Sequence, residues 1–182
     1  MTQFYTRAGD DGFTGLLGEG KIPKYHPRTE ALGSIDEATA ALGIARASCK
    51  DSRCAQIIIQ IQRDLYHLMS EVSATLENAA KFRKIDANRI SWLEDQAEVL
   101  SENINIPSEF ILPGDSLPGA FLDLARTIVR RAERNVAKLV HEGVVENYEI
   151  LHYLNRLSSL LFILELLENS ISGQVTISLA KE

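Results

Sequence analysis

Apolar residues recur three or four positions apart along most of this chain. Between Arg28 and Ser48 they fall at Ala31, Leu32, Ile35, Ala38, Leu42 and Ala45, one face of an amphipathic helix. A second helix is expected from Ser52 to Leu76, carried by Ile57, Ile58, Ile61, Leu65, Leu68, Val72 and Leu76. The run Ile57–Ile58–Ile59 alone fits a strand, but the helical repeat on both sides overrides it. A third helix begins near Asp86, a residue suited to cap it, and uses Ile90, Leu93, Ala97 and Leu100. The stretch NINIPSEFILPGDSLPG, with three prolines and two glycines, then breaks the pattern. A fourth helix carries Phe121, Leu124, Ala125, Ile128, Val129, Ala132, Val136, Leu139 and Val140, and ends around Gly143. The fifth runs from about Asn147 to Asn169 and is the most apolar. The tail, SGQVTISLAKE, alternates β-branched residues over too short a span to assign.

Five long helices with short connections predict an all-α, antiparallel five-helix bundle. One domain over residues 1–182 is expected, with a glycine-rich loop at 1–27, the bundle at 28–170 and a tail at 171–182. Several helices, above all LHYLNRLSSLLFILELL, are apolar around much of their circumference, which points to burial against another subunit.

Composition narrows the function classes. A net charge of −6 argues against general affinity for nucleic acid. Cys49 and Cys54 form neither a CxxC motif nor a zinc set and read as free thiols of a reducing cytosol. The start MTQFYTRAGDDG lacks the basic and apolar blocks of a signal peptide, and the apolar runs are short and interrupted. A cytoplasmic protein without a membrane span is expected.

The polar chemistry concentrates in two places. In DLARTIVRRAERNV, Arg126, Arg130 and Arg134 are spaced i, i+4, i+8 and stack on one helix face, with Arg131 and Glu133 beside them. A solvated face, with Glu133 as a local ion-pair partner, is the plain reading. Against it, three guanidiniums at this spacing repel unless anions sit between them, and guanidinium forks match phosphate oxygens. A polyphosphate fits the stripe, and so does a carboxylate from a neighbouring subunit.

The second place is TRAGDDGFTG near the N-terminus. Unhindered backbone N–H groups, the Thr6 and Thr14 hydroxyls and the Arg7 charge can wrap phosphate oxygens. The segment is neither a P-loop nor an EF-hand, and taken alone it fits a mobile tail equally well. On the fifth helix, Asn155, Ser158, Ser159 and Phe162 share a face, and an amide in so apolar a context needs a partner. His141 and His152 have no ligand-like partners at metal spacing and read as surface or packing residues.

Three stretches together resemble the PduO-type ATP:cob(I)alamin adenosyltransferases. They are YTRAGDDGFTGLLGEGKIPKYHPRTEALGSIDEATAALG, FILPGDS and LARTIVRRAERNV followed by YLNRLSSLLF. The resemblance implies a ferritin-like, trimeric arrangement with sites between subunits. It also implies a reaction in which the cobalt(I) of a reduced corrinoid attacks the 5′ carbon of ATP, giving adenosylcobalamin and triphosphate.

On that resemblance, Thr6, Arg7, Ala8, Gly9, Thr14, Gly15 and Lys24 would line the polyphosphate. Arg130, Arg131, Glu133 and Arg134 would face it from the helix, and Asn155 would bind near the nucleotide or its Mg2+. Asp36 and Arg126 correspond to a salt bridge across the subunit interface, and Phe110 to an aromatic residue beneath the corrin that excludes the lower axial ligand. A cobalamin reductase and a B12-dependent enzyme are the implied partners; nucleic acid and membrane are not.

Three departures stand out. Relatives read PGG where this chain has Pro113–Gly114–Asp115, and NRLSD where it has Asn155 to Ser159. Glu165 replaces a usual arginine, as though a carboxylate had moved about a turn and a half along the helix. Asp115 and Ser159 motivate a second reading, a relative that binds ATP or cobalamin as a sensor or carrier with weakened catalysis.

Overall fold

A computed structural model describes residues 7–102, 104–173 and 176–181. Among them are six helices: α1 (Pro27–Ser48), α2 (Ser52–Ser73), α3 (Leu76–Phe82), α4 (Ala87–Ser101), α5 (Leu117–His141) and α6 (Glu149–Ile171). Two short strands, β1 (Phe13–Gly15) and β2 (Lys21–Pro23), pair antiparallel with Thr14 opposite Ile22.

The boundaries follow local chemistry. His26 Nδ1 accepts from Arg28 N at 3.0 Å, with Pro27 opening α1. Asp51, Asp86 and Ser116 cap α2, α4 and α5 by accepting from Arg53 N, Arg89 N and Gly119 N.

Two expectations need correction. The second predicted helix does not reach Leu76: it stops at Ser73, and Leu76 opens the separate short α3. Ala74 and Thr75 are extended because Leu17 pairs with the backbone there, Leu17 N donating to Ser73 O at 3.0 Å and Thr75 N to Leu17 O at 3.2 Å. The glycine-rich segment is correspondingly not all loop, since β1 and β2 form a hairpin anchored at that break.

Consecutive long helices alternate in direction, as an up-and-down bundle requires. α1 packs on α2 and α5, α5 on α6, and α6 on α4. The last pair runs parallel, because Asn147 before α6 donates to Ile85 O before α4, and Arg156 meets Glu94 further along both.

Ile35, Leu42, Ile61, Leu65, Leu122, Val129, Leu154 and Leu161 are fully buried between these helices. Each such side chain contributes about 1.5–3 kcal/mol relative to exposure. α6 is buried on nearly every side within its own chain. Its apolar circumference therefore needs no second subunit, contrary to the sequence-based inference. By length and composition α6 could cross a membrane, yet 67% of its most apolar window is buried inside the protein.

Buried polar groups staple the ends. Asp64 accepts from Arg89 Nη2 at 2.5 Å and from Tyr153 Oη at 2.8 Å, joining α2, α4 and α6. Burial and the Asp64 charge push the Tyr153 phenol well above its ordinary pKa, so it remains a donor. At one end of the bundle, buried Arg28 donates to Val72 O, Ala74 O and Val144 O, placing a cation on the open carbonyls that end α2. At the other, Glu168 accepts from Lys50 N and Asp51 N beside the Cys49 and Cys54 thiols, whose sulfurs lie 3.1 Å apart.

Candidate active site

The α5 arginines fall on one face as their spacing requires, but their surroundings separate them. Arg126 is half-buried and pairs with Asp123 one turn earlier, Nη2 to Oδ1 at 2.7 Å. Arg131 turns to α1 and pairs with Glu37. Arg134 is exposed and its Nη1 donates to Arg130 O at 3.0 Å. Arg130 is exposed, and among the described residues no carboxylate forms an ion pair with it.

Glu133 is not the local counter-charge expected for this stripe. Its Oε1 accepts from Asn155 Nδ2 at 3.1 Å, Asn155 Oδ1 accepts from Arg156 Nη1 at 3.0 Å, and Arg156 Nε donates to Glu94 at 2.7 Å. This relay crosses α5, α6 and α4 at the surface. Asn155 is thus an exposed, partnered amide rather than a buried one. His141 and His152 are exposed, the latter with its Nδ1 3.2 Å from Glu149.

A cleft of about 690 Å³ opens between the end of α4, the 104–116 loop, α5 and α6. It gathers Phe110, Arg126, Arg130, Ser158, Ser159 and Phe162. Phe110 is 88% exposed, a large apolar surface with no packing of its own beside two guanidiniums. A flat apolar ligand next to an anionic one suits that lining. The shared face of Ser158, Ser159 and Phe162 was legible in their spacing. Asp123 was missed, although its i, i+3 relation to Arg126 was there to be read.

The hairpin gathers the second set. Lys24 folds over the preceding turn, so that a Cβ on Gly9 would lie 2.9 Å from Lys24 Nζ. Arg7 holds a left-handed φ of 60°, Thr14 pairs with Ile22, and Ala8 and Gly15 are exposed. A backbone hydrogen bond from Phe13, helped by Lys21, holds the Asp11 carboxyl below its usual pKa. Thr6 lies outside the described residues.

The hairpin is fixed at the bundle end where α2 stops and α6 begins, whereas Phe110 sits at the end where α4 stops and α5 begins. The single chain does not bring the two sets together. Asp36 is exposed on α1 and unpaired with Arg126 within the chain.

The three departures acquire places. Asp115 accepts from Ser178 N at 3.0 Å and Ser178 Oγ at 2.6 Å. Its carboxylate is engaged by the C-terminal segment. Ser159 is exposed at the cleft. Glu165 is fully buried with neither oxygen hydrogen-bonded among the described residues. Burial, then the Asp123 charge, push its pKa to about 7, against the pull of Arg126 and with a further push from Asp115.

A family model for cobalamin adenosyltransferase matches residues 4–168. The chain is 35% identical over 174 residues to the corrinoid adenosyltransferase PduO of Salmonella typhimurium, covering 95% of this chain and 52% of that protein. It is 36% identical over 178 residues to the corrinoid adenosyltransferase of Mycobacterium leprae, covering 93% of each. Among solved structures, it is similar to a Phe-to-Ala variant of the PduO-type ATP:corrinoid adenosyltransferase from Lactobacillus reuteri complexed with cobalamin and ATP. That likeness has a TM-score of 0.90 at 27% identity, over 99% of this chain and 100% of the other. An Arg-to-Lys variant of that enzyme, complexed with ATP, superposes with a TM-score of 0.89 at 27% identity, covering 98% of this chain and 100% of the other.

Proposed function

The chain belongs to the cobalamin adenosyltransferase family and is an ATP:corrinoid adenosyltransferase; we propose which of its residues do that work and how. The cobalt(I) electron pair of the reduced corrinoid substrate attacks the 5′ carbon of ATP. The 5′ C–O bond breaks, and triphosphate leaves with its electrons. The observation that carries the assignment is Arg130, a guanidinium without a carboxylate partner among the described residues, in the same cleft as the exposed ring of Phe110.

Charge on a departing triphosphate grows along the C–O bond, so a cation already in place lowers the barrier without reorganisation. Arg130 and Arg134 supply that charge from α5. Gly9, Thr14, Gly15, Lys24, Arg7 and Ala8 line the polyphosphate from the hairpin, with Thr6 ahead of them. Arg131 and Glu133 serve at the margin, because Glu37 and Asn155 already engage them.

Magnesium on the triphosphate would neutralise part of the leaving-group charge. Glu133 and Asn155, oxygen donors joined across α5 and α6, fit such a hard cation. Phe110 denies the lower face of the corrin an axial donor, which makes cobalt(II) easier to reduce.

Because the hairpin and Phe110 sit at opposite ends of one bundle, a complete site takes the hairpin of one copy and the cleft of another. A homotrimer is the assembly proposed, with Asp36 of one copy meeting Arg126 of the next. The cytoplasm is the proposed compartment, and a cobalamin reductase and a B12-dependent enzyme are the proposed partners.

The test is anaerobic incubation with reduced cobalamin and MgATP, following the adenosylcobalamin spectrum and released triphosphate. Binding of both substrates without adenosylcobalamin would sink the assignment. Asp36→Asn is expected to disturb the alignment of neighbouring copies and lower turnover about tenfold, with little loss of assembly strength because Arg126 keeps Asp123 as its partner. An unchanged oligomer by light scattering, with full activity, would contradict the interface role. MgATP at 100 times its Kd should stabilise the fold by about 2.7 kcal/mol, visible as a rise in Tm.

A further inference from the structure

Residues 178–180 run antiparallel beside the Phe110 loop. Ile111 bridges Leu179, Leu112 N donates to Ser178 O at 2.7 Å, and Ala180 N donates to Phe110 O at 2.7 Å. Asp115 closes the arrangement by accepting from both the backbone N–H and the hydroxyl of Ser178. Two backbone bonds and two charge-assisted ones therefore join the loop to the C-terminal segment.

The loop has few other restraints. Phe110 is 88% exposed and Leu112 is 53% exposed, so neither ring nor side chain anchors it by packing. Gly114 sits at φ 126°, a left-handed value that places Asp115 toward Ser178 and would strain any side chain at position 114. Prolines at 107, 113 and 118 limit the backbone but supply no donors.

We propose that the C-terminal segment Ser178–Ala180 is a strap that sets the position of Phe110, and that Asp115 is the positioning residue that fastens it. The inference rests on the reading of Phe110 as the wall beneath the corrin. It gives Asp115 a role that a glycine at this position could not perform, because a glycine offers no carboxylate for Ser178. Among the described residues the strap is bonded to the Phe110 loop and Asp115, on the corrinoid side of the cleft, so its loss is expected to fall on the corrinoid and spare the nucleotide.

Asp115→Ala and Ser178→Ala are compared with the intact chain in steady-state anaerobic assays, together with Asp115→Asn. Ser178→Ala, which loses one charge-assisted hydrogen bond, is expected to raise KM for the corrinoid about tenfold, and Asp115→Ala, which loses both, to raise it further, with KM for ATP unchanged in each. Electron paramagnetic resonance with cobalt(II) corrinoid and MgATP should show a smaller four-coordinate fraction in both. Asp115→Asn, which keeps an acceptor oxygen for Ser178, should recover most of the loss.

Corrinoid KM values within twofold of the parent in both Ala variants would overturn the strap. So would equal rises for ATP and corrinoid tracking a fall in Tm, or an effect of Asp115→Ala that Ser178→Ala does not share. If the unmodified chain forms no adenosylcobalamin, it is the underlying assignment that fails, and the parent assay run alongside distinguishes the two.

Discussion

Arg130→Ala should lower adenosyl transfer by about 10²–10³-fold, the usual effect of removing one preorganised group aimed at developing charge. The reason lies in what Arg130 lacks. Arg126 answers Asp123 and Arg131 answers Glu37, so both are partly neutralised before any substrate arrives. Arg130 has no such partner among the described residues, and its charge is available to a bound anion. The loss should fall mainly on kcat, because leaving-group charge is greatest in the transition state. Thermal stability should change little, as expected of an exposed side chain outside any buried network. Arg131→Ala is the natural contrast: its guanidinium is held against α1, and a smaller loss of rate is expected. Single-turnover kinetics with pre-reduced corrinoid would measure both. Arg130→Ala turning over at near the parent rate would remove Arg130 from the chemistry.

Glu165→Gln should change how stability depends on pH. In the unfolded chain this carboxyl titrates near its ordinary 4.5, but burial among apolar residues, with Asp123 close by, raises it to about 7 in the fold. The native state therefore holds its proton over a range where the unfolded state has released it. For a raised acid pKa the sign is unfavourable with rising pH: stability is full below about pH 4.5, falls between 4.5 and 7, and levels off above 7. The shift corresponds to about 3 kcal/mol at 1.36 kcal/mol per unit. Denaturant unfolding of parent and variant at a series of pH values should show curves that diverge by that amount between pH 5 and 8. The divergence is informative even though the buried amide carries its own constant penalty, because that penalty does not vary with pH. Parallel curves would show that Glu165 does not titrate in this window. Stabilisation of the variant above pH 7 also bears on the cleft, since Arg126 would lose one of the carboxylates around it.

Most of the bundle was legible because helix periodicity reports burial directly. The positions of α1, α4, α5 and α6 follow from apolar spacing, and Asp86 capped α4 as its residue type suggested. The break before Leu76 was not legible. Its cause is Leu17, nearly sixty residues away, whose backbone pairs with Ser73 and Thr75; Leu76 itself kept the helical spacing. The same long-range pairing hid the hairpin, since glycines at 9, 12, 15, 18 and 20 read locally as irregular chain.

At the site, residue types gave the chemistry but not the partners. Four arginines in nine residues announced an anion, yet only the fold separates Arg130 from Arg126 and Arg131. Asp115 stood out only as a departure from the family pattern, because its spacing to Ser178 carries no signal in one dimension. Glu165 was noticed as a departure, but its lack of any hydrogen bond appears only once α5 and α6 are packed.

The Asp123–Arg126 pair within α5 has a consequence for how copies of this chain would join. At the proposed interface the guanidinium that would meet an incoming Asp36 is already occupied by Asp123, so docking would exchange one carboxylate for another instead of neutralising a bare charge. The electrostatic gain of such an exchange is close to nil, and the contact selects the right alignment without adding much grip. Separated protomers would keep a quiet, self-neutralised surface at this point, less prone to capture stray anions. Subunits built this way can come apart and rejoin without leaving Arg126 a bare charge, while the exposed Asp36 returns to solvent.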